Sequence, residues 1–270
     1  MRIGATTFIY YMGTLEEFLY QVKEMGFTCV EVKCEKPVAY PRDVNPERRR
    51  KIRQLLEKLE LEALVHASFY DVNLSSLNPL MREAAERQLE ECIEFARDIG
   101  AGIVVFHAGN LPGDYPKTYL KVAVSNFLSS IKKALGKAEE TGITLALENK
   151  PRSSNHELVW YPEDHLKLLR MVNSPFLKAC VDVGHANTLK IDLVRYIQLL
   201  AGYTVNIHLH DNRGRKDDHM PIGDGEINFS AVLNALKDVG YAGPVILEVK
   251  SVDGLRKSME RLKLLAKTVA

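Results

Sequence analysis

The sequence predicts one α/β domain spanning residues 1–270, folded as a single (β/α)8 TIM barrel. Short runs rich in β-branched residues alternate with longer amphipathic stretches, and each kind of segment occurs eight times. This alternation is typical of βα units arranged around a parallel sheet. A doubly wound open sheet, the rival fold, usually carries a glycine-rich phosphate turn after its first strand, and residues 6–10 contain no glycine. The eight strand-like and eight helix-like segments, together with the absence of a glycine-rich phosphate turn, favour the closed barrel.

The predicted strands are short runs in which apolar side chains predominate. They cover residues 2–7, 29–33, 61–66, 102–107, 144–148, 179–182, 205–209 and 245–248. Two long connections, residues 108–116 and 212–228, follow the fourth and seventh strands. Long loops after barrel strands are where such folds place contacts to substrate.

The predicted helices follow the strands in strict alternation. They cover residues 15–25, 46–59, 79–99, 117–140, 163–171, 191–200, 229–239 and 252–268. Five of these patterns are followed by glycine, which favours the left-handed conformation that ends many helices. These residues are Gly26, Gly100, Gly142, Gly202 and Gly240. We also expect His156 and His165 to lie on the surface of the fifth βα unit.

Composition excludes several classes of function. The 36 Lys and Arg residues nearly balance the 35 Asp and Glu residues, so no overall field marks a nucleic-acid or membrane binder. No apolar run approaches the roughly 20 residues that span a bilayer, and the first residues lack the apolar stretch of a signal peptide. The four cysteines form no CxxC pair. We therefore expect a reduced, cytoplasmic protein with no membrane partner.

Ionisable side chains are concentrated at the carboxyl ends of the predicted strands, which form the working face of a TIM barrel. They are His66, His107, Glu148, Asp182 with His185 three residues later, His208 and Glu248, and the loop after strand seven adds Asp217 and His219. Carboxylates gathered in a partly buried site repel one another unless a cation lies between them. Mixed imidazole and carboxylate donors suit Zn²⁺, Mn²⁺, Co²⁺ or Fe²⁺, whereas Ca²⁺ takes oxygen donors. The sequence therefore predicts a divalent metal site.

Two of these carboxylates suggest a reaction. Glu148 and Glu248 end the fifth and eighth strands, on opposite sides of the mouth of the barrel. A carboxylate on each side of a carbon next to a polarised carbonyl can remove a proton from one face and return it to the other, through an enediolate. Phe69 and Trp160 are candidate aromatic contacts to the substrate, although Trp160 could instead cap the core.

Segments 65–69, 105–109, 147–149, 181–185, 207–211, 217–219 and 247–248 resemble, in order, the motifs of the xylose isomerase-like TIM-barrel superfamily. This superfamily contains sugar isomerases and epimerases as well as endonuclease IV. Resemblance to the epimerases implies one divalent metal, Zn²⁺ or Mn²⁺, with two glutamates serving as acid and base. The implied metal ligands are Glu148, Asp182, His208 and Glu248. It further implies that His185 and Arg213 contact a sugar or sugar phosphate, and that the protein forms a homo-oligomer.

Endonuclease IV is the alternative within the same superfamily. Its three-zinc site uses nine ligands, which fall here on the four epimerase ligands together with His66, His107, His185, Asp217 and His219. Under that reading the substrate is abasic DNA, Phe69 stacks on a base and the reaction is phosphodiester hydrolysis. Residues 208–213 read HLHDNR rather than the HLNDSK typical of the nuclease, which favours the isomerase or epimerase. A sugar-binding barrel without turnover is a third hypothesis, opposed by the presence of both glutamates.

Overall fold

Eight parallel strands close into a barrel in the computed structural model of the chain, which describes residues 2–8 and 11–269. The strands are β1 (Arg2–Thr6), β2 (Cys29–Lys33), β3 (Glu62–His66), β4 (Ile103–His107), β5 (Thr144–Glu148), β6 (Leu177–Asp182), β7 (Thr204–Leu209) and β8 (Pro244–Leu247). Each strand pairs in parallel with the next, and β1 pairs with β8, where Arg2 lies opposite Pro244. The predicted (β/α)8 TIM barrel is confirmed. Ile9 and Tyr10, which belong to the predicted glycine-free turn, lie outside the described residues.

Helices cover the outside of the barrel. They are α1 (Leu15–Glu24), α2 (Pro46–Lys58), α3 (Pro79–Ile99), α4 (Leu120–Thr141), α5 (Pro162–Val172), α6 (Val183–Thr188), α7 (Leu193–Leu200), α8 (Phe229–Asp238) and α9 (Val252–Val269). Helix α6 is absent from the predicted set; it begins because the carboxylate of Asp182 accepts a hydrogen bond from the backbone N–H of His185 at 2.6 Å. The expected start of the fourth helix is instead a 3₁₀ turn, Lys117–Tyr119.

Local signals account for most helix boundaries. Helix α1 begins at a capping box, in which Thr14 accepts from the backbone of Glu17 and the Glu17 carboxylate accepts from the backbone of Thr14. Helix α3 ends at Gly100, whose φ of 81° is left-handed as expected. Gly202 is an exception, because its φ is not positive. Within the part of the chain that the structure describes, no helix is long and apolar enough to cross a membrane.

The core has an outer layer and an inner one. Most buried apolar residues pack between the strands and the helices in one continuous cluster. Two small clusters lie apart from it: Cys29 with Leu64 and Ile246, and Val105 with Ala146 and Cys180. Each of these six residues stands two positions before a charged or histidine side chain on its strand. Since alternate residues of a strand face the same side, the apolar filling of the barrel leads directly to polar groups at its carboxyl end.

Candidate metal-binding active site

A cavity of about 370 Å³ opens at the carboxyl end of the barrel, within the size range of small-molecule sites. Alternation along the strands aims its side chains inward: Ala146 precedes Glu148, and Ile246 precedes Glu248. Its polar lining comprises Thr6, Lys33, His66, Tyr70, His107, Glu148, Lys150, His185, Asp217, His219, Glu248 and Lys250. Asp182 and His208 lie beneath these residues and are fully buried. The structure thus brings together all nine of the predicted metal-ligating residues.

Glu148 lies at the centre of this group. Its Oε2 is 2.7 Å from Nε2 of His107 and 3.1 Å from Nε2 of His66, and its Oε1 is 3.0 Å from Nδ1 of His208. Nδ1 of His185 approaches the same Oε1 at 3.4 Å. Burial opposes ionisation of Glu148, but the charges and hydrogen bonds of His208 and His107 outweigh it and hold the pKa well below its usual range.

His208 brings the other predicted ligands to the same place. Its Nδ1 is 3.6 Å from Oε1 of Glu248 and 3.8 Å from Oδ2 of Asp182. Oδ2 of Asp182 is buried without a hydrogen-bond partner in the described structure, whereas Oε1 of Glu248 lies 3.1 Å from Nζ of Lys33. Burying a carboxylate oxygen without a partner destabilises the folded protein, so such an oxygen usually binds a donor or a cation. Three carboxylates thus lie within 3.8 Å of Nδ1 of His208, and carboxylate and imidazole are donors that zinc and manganese accept, so the residues present fit a divalent cation.

A buried pair behind His208 fixes its ring. Nε2 of His208 is 2.9 Å from Oε2 of Glu31, and the Glu31 carboxylate also accepts from the side-chain amide of Asn206 at 3.0 Å. All three side chains are fully buried. The sequence motifs assign no role to Asn206 or Glu31, although both face the barrel interior by the period-2 pattern.

A second cluster lies beside the first. His219 Nε2 is 2.9 Å and His185 Nε2 is 3.4 Å from Oδ2 of Asp217. The fully buried ring of His210 stacks on His219 with centroids 4.0 Å apart, and its Nε2 lies 3.2 Å from Oδ1 of Asp182. Burial disfavours the charged form of His185, yet the Asp182 and Asp217 charges raise its pKa to about 10. His210 therefore lies between the two clusters and contacts both. The sequence does not predict this position.

The wall above the clusters is basic and aromatic. Nζ of Lys33 lies 3.1 Å from Oε1 of Glu248, and Phe8, Phe69 and Tyr70 line the cavity nearby. Nζ of Lys150 lies 3.5 Å from Nδ1 of His107. Burial, followed by the charge of Lys150, lowers the pKa of His107 to about 3. None of the lysines is a predicted site residue; the inward alternation along 29–33 is the sequence signal that points to Lys33.

Of the three further residues predicted to contact substrate, one lines the cavity and two do not. Phe69 lies at the cavity wall, with its ring centroid 5.1 Å from that of His66. Arg213 is exposed and does not line the cavity, because the preceding Asn212 is held inward by the backbone oxygen of Gly184 at 2.8 Å. Trp160 also lies outside the cavity lining, where its indole N–H donates to the backbone oxygen of Pro151 at 3.1 Å. This placement gives no support to either as a contact to substrate.

His165 corrects another expectation. Its position after two acidic residues in α5 predicts a surface location, but its side chain is fully buried. Its Nδ1 lies 3.1 Å from the hydroxyl oxygen of Tyr196, which is itself fully buried. The acidic neighbours Glu163 and Asp164 occupy other faces of the helix, so adjacency in sequence is misleading here.

Comparison with known proteins agrees with this geometry. A family model described as a xylose isomerase-like TIM barrel matches residues 19–265. An uncharacterised protein of Methanocaldococcus jannaschii is 31% identical over 265 residues, which cover 97% of this chain and 88% of that protein. L-ribulose-5-phosphate 3-epimerase of Escherichia coli is 22% identical over 178 residues, 66% of this chain and 60% of the enzyme.

Solved structures extend the similarity over the whole barrel. A D-tagatose 3-epimerase-like protein superposes with a TM-score of 0.90 at 30% identity, over 100% of this chain and 98% of the other. L-ribulose 3-epimerase superposes with a TM-score of 0.86 at 20% identity, over 99% and 95% of the two chains. The second likeness concerns the fold alone.

Proposed function

Because the chain belongs to the xylose isomerase-like TIM barrel family, we propose that it is a divalent-metal-dependent isomerase or epimerase of a sugar or sugar phosphate. The similar proteins named as epimerases support this class of reaction. The observation that carries the proposal is the position of His208, whose Nδ1 lies 3.0 Å from Glu148 and 3.6 Å from Glu248. Two glutamates from opposite sides of the barrel thus reach one buried point.

Glu148, Asp182, His208 and Glu248 would hold the cation, which we propose is Zn²⁺ or Mn²⁺. The unpaired buried Oδ2 of Asp182 supports this assignment. A bound divalent cation polarises the oxygens of a ketose and so lowers the barrier to removing a proton from the carbon between them.

The two glutamates would move the proton. Burial raises the pKa of Glu248, but Lys33, His208 and His219 together hold it well below its usual range, so the side chain is an anion. Glu148 is held as an anion as well. One carboxylate would accept the proton from the substrate carbon on one face, which leaves an enediolate. The other, after taking up a proton from solvent, would donate it to the opposite face of that carbon, and the first would release its proton to solvent. His185, at the cavity wall, would donate to a substrate oxygen.

Exchange of substrate protons with solvent tests this reaction whatever the product is. The protein, loaded with Mn²⁺ or Zn²⁺, is incubated in D₂O with a panel of ketoses and ketose phosphates, and loss of the proton next to the carbonyl is followed by proton NMR. We expect metal-dependent exchange with at least one member of the panel. Absence of exchange throughout the panel, in protein shown to hold metal, would overturn the proposal.

A second candidate, hydrolysis of phosphodiesters at abasic sites in DNA, is favoured by one observation. Two groups besides the main cluster are already assembled: His66 and His107 with Glu148, and His185, His210 and His219 with Asp217. These groups match the donors of a three-zinc centre. The test is incision of a duplex with one abasic site, together with metal analysis. Incision that is lost in Glu148→Gln, with three Zn²⁺ per chain, would favour the nuclease over the epimerase.

A further inference from the structure

Three lysine side chains line the wall of the cavity above the ligand cluster. Lys33 ends β2, Lys150 follows β5, and Lys250 follows β8. A lysine ammonium is a compact point charge with three donors, suited to binding oxyanions. Their arrangement gives the cavity an acidic floor and a basic wall.

Among the described residues, a carboxylate neutralises just one of these three cations. Lys33 pairs with Glu248 at 3.1 Å, and its side chain is 13% exposed. Neither Lys150 nor Lys250 has a carboxylate oxygen within 4.0 Å among the residues that the structure describes. A polar neighbour of the Lys150 ammonium is Nδ1 of His107, at 3.5 Å. Two cationic groups therefore face the cavity without a counter-ion from the described part of the chain.

The two unpaired lysines bear the same relation to the two glutamates. Lys150 stands two residues after Glu148, and Lys250 stands two residues after Glu248. Both lysines follow the ends of their strands and line the cavity, so each lies farther toward the mouth than its glutamate. The backbone N–H of Lys150 donates to the carbonyl of Val159 at 2.9 Å, which fixes that segment to the loop above. A substrate with its reacting carbon between the glutamates extends outward past the lysines.

We propose that Lys150 and Lys250 form a subsite for a terminal phosphoryl group, so that the substrate is a ketose phosphate rather than a free ketose. A phosphate ester dianion supplies the two negative charges that match the two unpaired ammonium groups. Phe69 and Tyr70 line the same cavity and offer an apolar face to the carbon chain between the two ends. The ketose half of this substrate rests on the proposed function, whereas the anion subsite rests on the lysines alone.

The test uses dihydroxyacetone phosphate and dihydroxyacetone, a pair that differs only in the phosphoryl group. Both are titrated into Mn²⁺-loaded protein by calorimetry. We expect the phosphate ester to bind at least about tenfold more tightly, the gain typical of one charged hydrogen-bonded contact. The Lys150→Gln, Lys250→Gln double variant should lose that preference while retaining its metal and its affinity for dihydroxyacetone.

Lys132→Gln is the matched control, since Lys132 is an exposed lysine of α4 outside the cavity. Equal affinity of wild type for the two probes, or a double variant that binds the phosphate ester as wild type does, would overturn the subsite. Proton exchange in D₂O separates this result from the proposed function. If exchange persists with free ketoses and the lysines have no effect, the subsite fails alone. If lysine-dependent binding persists without any exchange, the anion subsite stands and the epimerase proposal fails.

Discussion

Nε2 of His208 lies 2.9 Å from Oε2 of Glu31, a contact between β7 and β2 in which both side chains are fully buried. With Nε2 occupied in this way, Nδ1 is the ring nitrogen that faces Glu148, at 3.0 Å. A carboxylate that accepts from a ligating histidine fixes its tautomer and orientation. In the proposed metal site, Glu31 is thus a positioning residue for the ring of His208.

We expect Glu31→Gln to weaken metal binding about 10- to 100-fold, the effect usual for a lost carboxylate partner of a ligating histidine. The side-chain volume is conserved, so the barrel should still close. Competition with a chelator of known affinity, monitored by metal analysis, measures the change directly.

Glu86→Gln is the control for that experiment. Glu86 is also a buried carboxylate, but it pairs with Ser130 at 2.7 Å and with Lys133, outside the cavity. Its variant should bind metal as wild type does. Wild-type affinity in Glu31→Gln would show that the contact with His208 has no role in metal binding.

Glu248→Gln should lower turnover by about 10²- to 10⁴-fold, because it removes the charge of a proposed acid–base group while keeping its shape. Circular dichroism should show an intact fold, and metal analysis distinguishes loss of a base from loss of the cation. Glu157→Gln serves as the comparison, since Glu157 is buried in the ribbon that joins Asn110–Leu111 to His156–Glu157, outside the cavity lining. A Glu248→Gln variant within tenfold of wild type would refute the acid–base role.

Stability should fall as the pH decreases below about 6.5, in part because of His165. Burial lowers the pKa of His165 in the folded protein to about 4, from an ordinary value of 6.5. Between these values the unfolded chain binds a proton that the folded protein does not, so the stabilisation is complete above pH 6.5 and is lost toward pH 4. From pH 7.5 to pH 5, wild type should lose about 2 kcal/mol more than His165→Gln. Urea unfolding at the two pH values measures this, and equal losses would contradict the assignment.

Gly184→Ala should destabilise the protein by about 1–3 kcal/mol, the usual cost of overpacking. A Cβ at Gly184 would overlap the ring of His210, which lies 3.2 Å from Asp182 and cannot move without disturbing the ligand cluster. Gly136→Ala is the opposite case, since nothing lies within 4 Å of its Cβ position in α4 and alanine favours the helix by about 0.5–1 kcal/mol. Denaturant unfolding should show a lower free energy of unfolding for Gly184→Ala and a higher one for Gly136→Ala than for wild type.

The strand ends and the barrel fold are enough to predict that Glu148 and His66 come together, because the carboxyl ends of all the strands meet at one face of the barrel. The ion pair of Lys33 with Glu248 also needs closure of the barrel, because β2 and β8 come near one another only when β1, which pairs with β2, pairs with β8 as well. The position of Arg213 could not be predicted from the sequence either. Its outward direction depends on the hydrogen bond between Asn212 and Gly184, a tertiary contact with no local signal in the sequence.

Barrel closure has a consequence for synthesis of the chain. Arg2 pairs with Pro244, and the last proposed ligand, Glu248, comes four residues later. A nascent chain therefore carries its first strand with one unpaired edge until β8 has been translated. Capture of a cation by the complete donor set can therefore only follow emergence of the last strand from the ribosome.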